Sequence, residues 1–106
     1  MNKFRLKFLW LEKNLGIAID QRTPKGFSPV TEYFFWPRKD AWEELRNDLA
    51  SKPWISYDNS ILILNETTDV INYWQEEEKR PSLAEAQERF PNCFFVDKFA
   101  NTFLVE

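Results

Sequence analysis

From Phe4 to Leu11 apolar and polar positions alternate, with Phe4, Leu6, Phe8 and Trp10 on one side and Arg5 and Lys7 on the other. A period of two marks a strand with one buried face. Leu9 and Leu11 interrupt the polar face, so that end of the strand is expected to be covered on both sides. Glu12, Lys13 and Asn14 form a turn. Leu15–Gln21, with Ile17 and Ile19 on one face, predicts a second strand close enough for an antiparallel hairpin. Arg22–Pro29 (RTPKGFSP) holds two prolines and a glycine and reads as an irregular loop. Val30–Trp36 is β-branched and aromatic and predicts a third strand, ended by the missing donor of Pro37.

The period then changes. Asp40 followed by Glu43 has the pattern of a capping box, and Ala41, Trp42, Leu45 and Leu49 make an apolar stripe. This predicts a helix that stops at Lys52-Pro53, with Trp54 and Ile55 as buried anchors in the connection. Residues 58–78 are ambiguous between a short strand at Ile61–Leu64 and a helix. Because neither glycine nor proline interrupts before Pro81, one long helix is expected, capped by Asp58 or Asn59. Its apolar residues spread nearly all round the axis, which predicts the most buried helix of the fold. Ser82 with Glu85 opens a third helix that ends before Pro91. Cys93–Val96 predicts a short strand returning to the sheet. Asp97–Glu106 is either a tail or, at Thr102–Val105, a last strand.

Strands at about 4–11, 15–21, 31–36 and 93–96 and helices at about 40–50, 58–78 and 82–90 describe an α+β fold. It is a small antiparallel-rich sheet with about three helices packed on one face. No repeat or low-complexity tract divides the chain, and 106 residues suffice for one domain, with 1–96 as its core. Phe8, Trp10, Ile17, Ile19, Phe35, Trp42, Leu45, Leu64, Ile71, Trp74 and Phe90 are the expected core. Aromatics make up 17% of the chain, so large flat side chains dominate it.

Composition removes most chemistry. Histidine is absent, which excludes Ser-His-Asp and Cys-His catalysis and the commonest zinc ligand. The single cysteine, Cys93, can form no intramolecular disulfide and lies beside Phe94 and Phe95, where a buried inert thiol is expected. Two glycines are too few for a phosphate-binding loop or a dinucleotide fingerprint. Glu76, Glu77 and Glu78, about 100° apart on a helix, cannot converge on one cation and instead solvate the helix end. No run of 18 apolar residues spans a membrane, and no leader is visible. No cofactor, no metal and no small-molecule substrate are expected.

The net charge of −3 hides a split, with residues 1–39 carrying +5 and residues 40–106 carrying −8. This suggests a basic face set against an acidic one. Lys3, Arg5 and Lys7 are spaced by two and would line one solvent-facing strand face about 7 Å apart. Arg22, Lys25, Arg38 and Lys39 fall in loops that could flank it. Such cations suit phosphate contacts, which position a protein without reading sequence. Equally, strand lysines and arginines guard exposed sheet edges without any partner. Phe4, Phe8 and Trp10 alternate with the cations and so lie on the core side, which argues against base stacking.

Several long stretches carry a family resemblance: FLWLEKNLGIAIDQ (Phe8–Gln21), FFWPRKDAWEEL (Phe34–Leu45), KPWIS (Lys52–Ser56) and VINYWQEEEKRPSLAEAQERFP (Val70–Pro91). Together they resemble the plastid-specific ribosomal protein 3 family of cyanobacteria and plastids. The resemblance spans about residues 4–96, and the last ten residues match nothing in it. It implies an accessory structural protein of the small ribosomal subunit, without enzyme activity or cofactor. Its partners would be rRNA and neighbouring ribosomal proteins, and it would be a monomer when free. The residues leave a competing reading open: a free-standing protein-interaction module anchored by Trp36 or Trp54. A small all-carboxylate enzyme is a third.

Overall fold

A computed structural model describes residues 3–76 and 81–97. The elements run β1 (Phe4–Trp10), β2 (Leu15–Thr23), β3 (Gly26–Pro29), β4 (Phe34–Trp36), α1 (Ala41–Ala50), α2 (Tyr57–Trp74), α3 (Leu83–Arg89) and β5 (Phe94–Val96). The sheet order is β3-β2-β1-β5, with β4 also pairing β2. All pairs are antiparallel except β1 with β5. The result is the expected α+β fold, a mixed, strongly curled sheet with three helices.

The alternation of β1 and β2 sets the core. Phe4, Leu6 and Phe8 from β1 and Leu15, Ile17 and Ile19 from β2 are buried in one cluster with Ala41, Leu45, Leu49, Ile63, Leu64, Val70, Ile71 and Ala86 of the helices. Helix starts follow the capping chemistry. Asp40 accepts the Glu43 N–H at 3.1 Å, but the Glu43 carboxylate pairs with Arg46 instead of closing a box. Ser82 and Glu85 do form a reciprocal capping box on α3.

Four expectations need correction. The loop expected over 22–29 contains β3: Pro24 and Lys25 make the turn, Gly26 takes φ +128°, and Pro29 ends an edge strand, where its missing donor does no harm. The strand expected over 31–36 is reduced to β4. Between β3 and β4 the Ile19 N–H bonds the Thr31 hydroxyl (3.1 Å) in place of a carbonyl, so the ladder breaks there. The helix expected over 58–78 is one helix, as the absence of breakers implied, but Ser56 caps it and it ends at Trp74. It is also buried along one stripe only, leaving Tyr57, Ile61 and Leu62 exposed. Residues 77–80 and the proposed strand at Thr102–Val105 lie outside the described residues.

The tryptophans are the fourth. Phe8, Ile17, Ile19, Leu45, Leu64 and Ile71 are buried as expected, whereas Trp10, Trp42, Trp74 and Phe90 are half-buried at the rim. An indole brings a donor that must be bonded, which favours the boundary over the centre. Trp74 donates to the Leu11 carbonyl (3.0 Å), Trp10 to the Pro81 carbonyl (3.2 Å) and Trp42 to the Thr68 hydroxyl (3.0 Å). Each bond ties elements distant in sequence. Trp54, expected as a buried anchor, is 59% exposed.

Candidate nucleic-acid interface

The sheet face turned away from the helices is built by the other half of each alternation. Cross-strand partners share a face, so the register puts Arg5 and Lys7 of β1 with Ala18, Asp20 and Arg22 of β2, Phe27 of β3 and Phe94 of β5. At one end Leu9, opposite Gly16, is buried as expected. A Cβ on Gly16 would meet the Leu9 Cβ at 2.9 Å and the Tyr33 and Phe35 rings at 3.1 Å. Gly16 is therefore the gap that the Tyr33 and Phe35 rings fill over this end of the sheet, while β4 itself continues the sheet beside β2. Phe35 belongs to this layer and is half-buried, so it is not part of the main core.

Asp20 organises the centre. It is 4% exposed and is the single buried charged residue among those described. Arg5 reaches it at 3.2 Å and Lys7 at 3.0 Å. A buried carboxylate requires such partners. The expectation of three free cations along β1 is thereby corrected: Arg5 and Lys7 are half-buried counter-charges, and only Lys3 is fully exposed. Arg5 is further held by rings. Its guanidinium carbon stands 3.7 Å from the Phe27 centroid and 4.5 Å from that of Phe94. Its Nε has no acceptor, so ring stacking and the ion pair together fix the side chain. Arg22 lies 5.3 Å from Phe27, and the Lys7 ammonium 5.4 Å from Tyr33. Burial, and then the nearby Asp20 charge, hold the Tyr33 phenol above its ordinary pKa.

Lys3, Arg22 and Lys25 extend this face at the β2–β3 end. All three are exposed, and the Arg22 N–H bonds the Lys3 carbonyl at 2.7 Å. Arg38 and Lys39 are exposed too, but they follow β4, which pairs with the opposite end of β2. Roughly 25 Å of strand separates the two groups. The structure thus brings Lys3, Arg5, Lys7, Arg22 and Lys25 together and leaves Arg38 and Lys39 apart, beside a cleft of about 300 Å³ lined by Trp36, Asp40, Trp42 and Asn72. The charge split of the sequence becomes a split between layers, because strands β1–β4 come from the basic half and the three helices from the acidic half.

Phe27 and Phe94 are what sequence reasoning missed on this face. The register Arg22↔Phe27 was hidden inside a stretch read as loop. For Phe94 a signal existed: in two consecutive phenylalanines on a strand, one must face away from the core. Trp54 in the α1–α2 connection and Tyr57, Ile61 and Leu62 of α2 are exposed as well, and Tyr57 and Ile61 line a groove of about 580 Å³ between the two helices. Cys93 is buried and donates to the Glu66 carboxylate at 3.2 Å; burial first, then Glu66, pushes its thiol pKa well up. Among the described residues no three histidine, cysteine, aspartate or glutamate side chains gather as a metal site.

Residues 30–77 match the family model described as plastid and cyanobacterial ribosomal protein (PSRP-3 / Ycf65). The chain is 73% identical over 101 residues to a protein of Mesostigma viride named small ribosomal subunit protein cS23, an alignment covering 95% of this chain and 82% of that one. It is 54% identical to the protein of that name from Gracilaria tenuistipitata var. liui, covering 91% and 97% of the two chains. A Synechococcus protein named "Probable small ribosomal subunit protein cS23" is 53% identical, with 87% and 93% covered.

Proposed function

The chain belongs to the plastid and cyanobacterial ribosomal protein family (PSRP-3 / Ycf65), and from that premise we propose how it is held in place. It is a structural component of the small ribosomal subunit of plastids or cyanobacteria, supporting translation there. The sheet layer faces rRNA and contacts phosphate through Lys3, Arg22 and Lys25, with Arg38 and Lys39 as a second contact beyond the other end of β2. Arg5 and Lys7 act within this layer as partners of Asp20. The acidic helices face solvent and basic neighbouring proteins, and the exposed Trp54, Tyr57, Ile61 and Leu62 give a neighbour its apolar anchor. The protein works without catalysis or a cofactor and is a monomer when free.

The observation that carries this reading is the segregation of charge along the chain, +5 in residues 1–39, which contain the sheet's first four strands, against −8 in residues 40–106, which contain the helices α1–α3. Phosphate contacts release counterions, so retention should fall with salt at a log–log slope of about −0.7 to −0.9 per phosphate. The test is salt washing of small subunits carrying K3E/R22E/K25E or R38E/K39E, each confirmed folded by circular dichroism. Both variants should leave the subunit at lower salt than the parent. Parental salt release of both would move the rRNA contact off this layer.

A further inference from the structure

We propose that the Phe27–Arg5–Phe94 layer is a stacking platform for an unpaired RNA base. The inference rests on the reading above, since it presumes that this face meets rRNA. It adds a different interaction, because phosphate contact needs only charge whereas stacking needs an exposed ring.

Three observations converge. The first is placement. Strands β2 and β1 lie between β3 and β5, and Phe27 is level with Lys3 whereas Phe94 is level with Lys7, so the two positions would stand roughly 19 Å apart on a flat sheet. Yet one guanidinium stands 3.7 and 4.5 Å from the two ring centroids. The curl of the sheet and the reach of the side chains gather ring, guanidinium and ring into one assembly. The second is exposure. Phe27 and Phe94 are 39% and 38% exposed, although partners on this face hold Arg5 in position. Planar groups fixed in advance and left partly open suit a base, because little side-chain freedom remains to be lost on binding. The third is charge. Asp20 is the carboxylate at the centre of the layer, and its side chain is 6% exposed beneath Arg5 and Lys7. The surface around the rings is therefore cationic, with Arg22 in ring contact and Lys25 in the adjoining turn.

The contrast with the α1–α2 corner decides between RNA and protein. There exposed Tyr57 and Ile61 line a groove with aliphatic Leu49, Ile55 and Leu64, a composition fitted to burying another protein's side chains. On the sheet face the large exposed apolar residues are phenylalanines alone, and cations contact them. Bases stack on aromatic rings and on guanidinium planes alike.

The probes are an adenosine oligomer of about twelve nucleotides and an abasic ribose-phosphate oligomer of the same length, both binding the full chain at low salt. Stacking predicts about tenfold tighter binding of the adenosine oligomer, within the range for one stacked base. F27L/F94L should bring that ratio close to one while abasic binding stays at the parental level. K3Q/K25Q should weaken both oligomers equally and keep the ratio. Equal affinity of the parent for the two oligomers overturns the platform and leaves the phosphate reading standing. Binding of neither oligomer overturns the platform together with RNA contact at this face. If F27L/F94L then still weakens subunit association, the face meets a protein. F27L alone separates a folding defect from a lost ring, since loss of the ratio with an unchanged unfolding curve supports stacking.

Discussion

Burial of Asp20 makes a quantitative claim about what stabilises the outer face of the sheet. Two cations stand at 3.2 and 3.0 Å from a side chain that is 6% exposed, and their own side chains remain 26% and 21% exposed. Removing the carboxylate and removing the cations are therefore unequal perturbations. Asp20→Asn leaves two long side chains that can turn to water and should cost about 1 kcal/mol, the scale of a weakened hydrogen bond. R5M/K7M strands a buried anion. Uncompensated buried charges cost about 3–5 kcal/mol, and the partial exposure of this pair lowers the expectation to about 2–4 kcal/mol. R5M/K7M/D20L then removes the stranded charge, and should recover most of that loss because a packed apolar replacement of a buried ion pair is often neutral. Urea unfolding followed by tryptophan fluorescence measures all four proteins. A triple variant no more stable than R5M/K7M would refute the electrostatic account. The loss would then come from the aliphatic stems and from the Arg5 stack on Phe27 and Phe94.

Gly16→Ala should destabilise by about 1–3 kcal/mol, because its Cβ would stand 2.9 Å from the Leu9 Cβ on the neighbouring strand and only the Tyr33 and Phe35 rings could yield; thermal unfolding reads this directly. Trp42→Ala should cost about 3 kcal/mol, the low end for aromatic truncation of a half-buried ring, whereas Trp42→Phe should cost about 1 kcal/mol for its bond to Thr68; urea midpoints separate the two. The Cys93 thiol, raised above its ordinary pKa by burial and by Glu66, should react with a disulfide reagent only as fast as the fold opens. The same shift fixes a sign for pH. The folded thiol holds its proton more tightly than the unfolded one, so its contribution is full below the unfolded pKa and is lost as pH rises beyond it. Cys93→Ala should flatten that alkaline fall in the unfolding midpoint.

How much was legible in the sequence depends on whether one period or two governed a segment. Apart from Leu9, β1 and β2 alternate large apolar residues with small or polar ones, and their hairpin and core face could be read directly. The α3 capping box was equally local. β3 was not legible, because its prolines and glycine carry loop statistics while its pairing with β2 is a tertiary fact. The cationic row failed for a related reason. Alternation placed Arg5 and Lys7 on the correct face, but the same alternation in β2 puts Asp20 opposite Arg5, and only the register reveals that one anion pairs with both. Arg38 and Lys39, near Trp36 in sequence, were grouped with the other cations by charge, although β4 joins β2 at its far end.

An acidic protein on a polyanionic scaffold poses a physical question that the layers answer. With a pI near 5.1 the whole chain should be repelled by RNA at long range. Repulsion of that kind is screened beyond about 8–10 Å at physiological salt, which is shorter than the smallest extent of the fold, 24 Å. Within that distance RNA approaching the sheet meets Lys3, Arg22 and Lys25, and the helix carboxylates lie on the far side of the core. Net charge therefore opposes association at low ionic strength, while local charge favours one orientation at any ionic strength where the contacts survive. The acidic layer has its own consequence. In the proposed orientation it is turned outward, where it would discourage a second RNA segment from covering the helices and leave that surface to basic proteins. A chain with the opposite arrangement, cations scattered evenly over both layers, would bind RNA in many orientations and so could not act as a positioned part of an assembly.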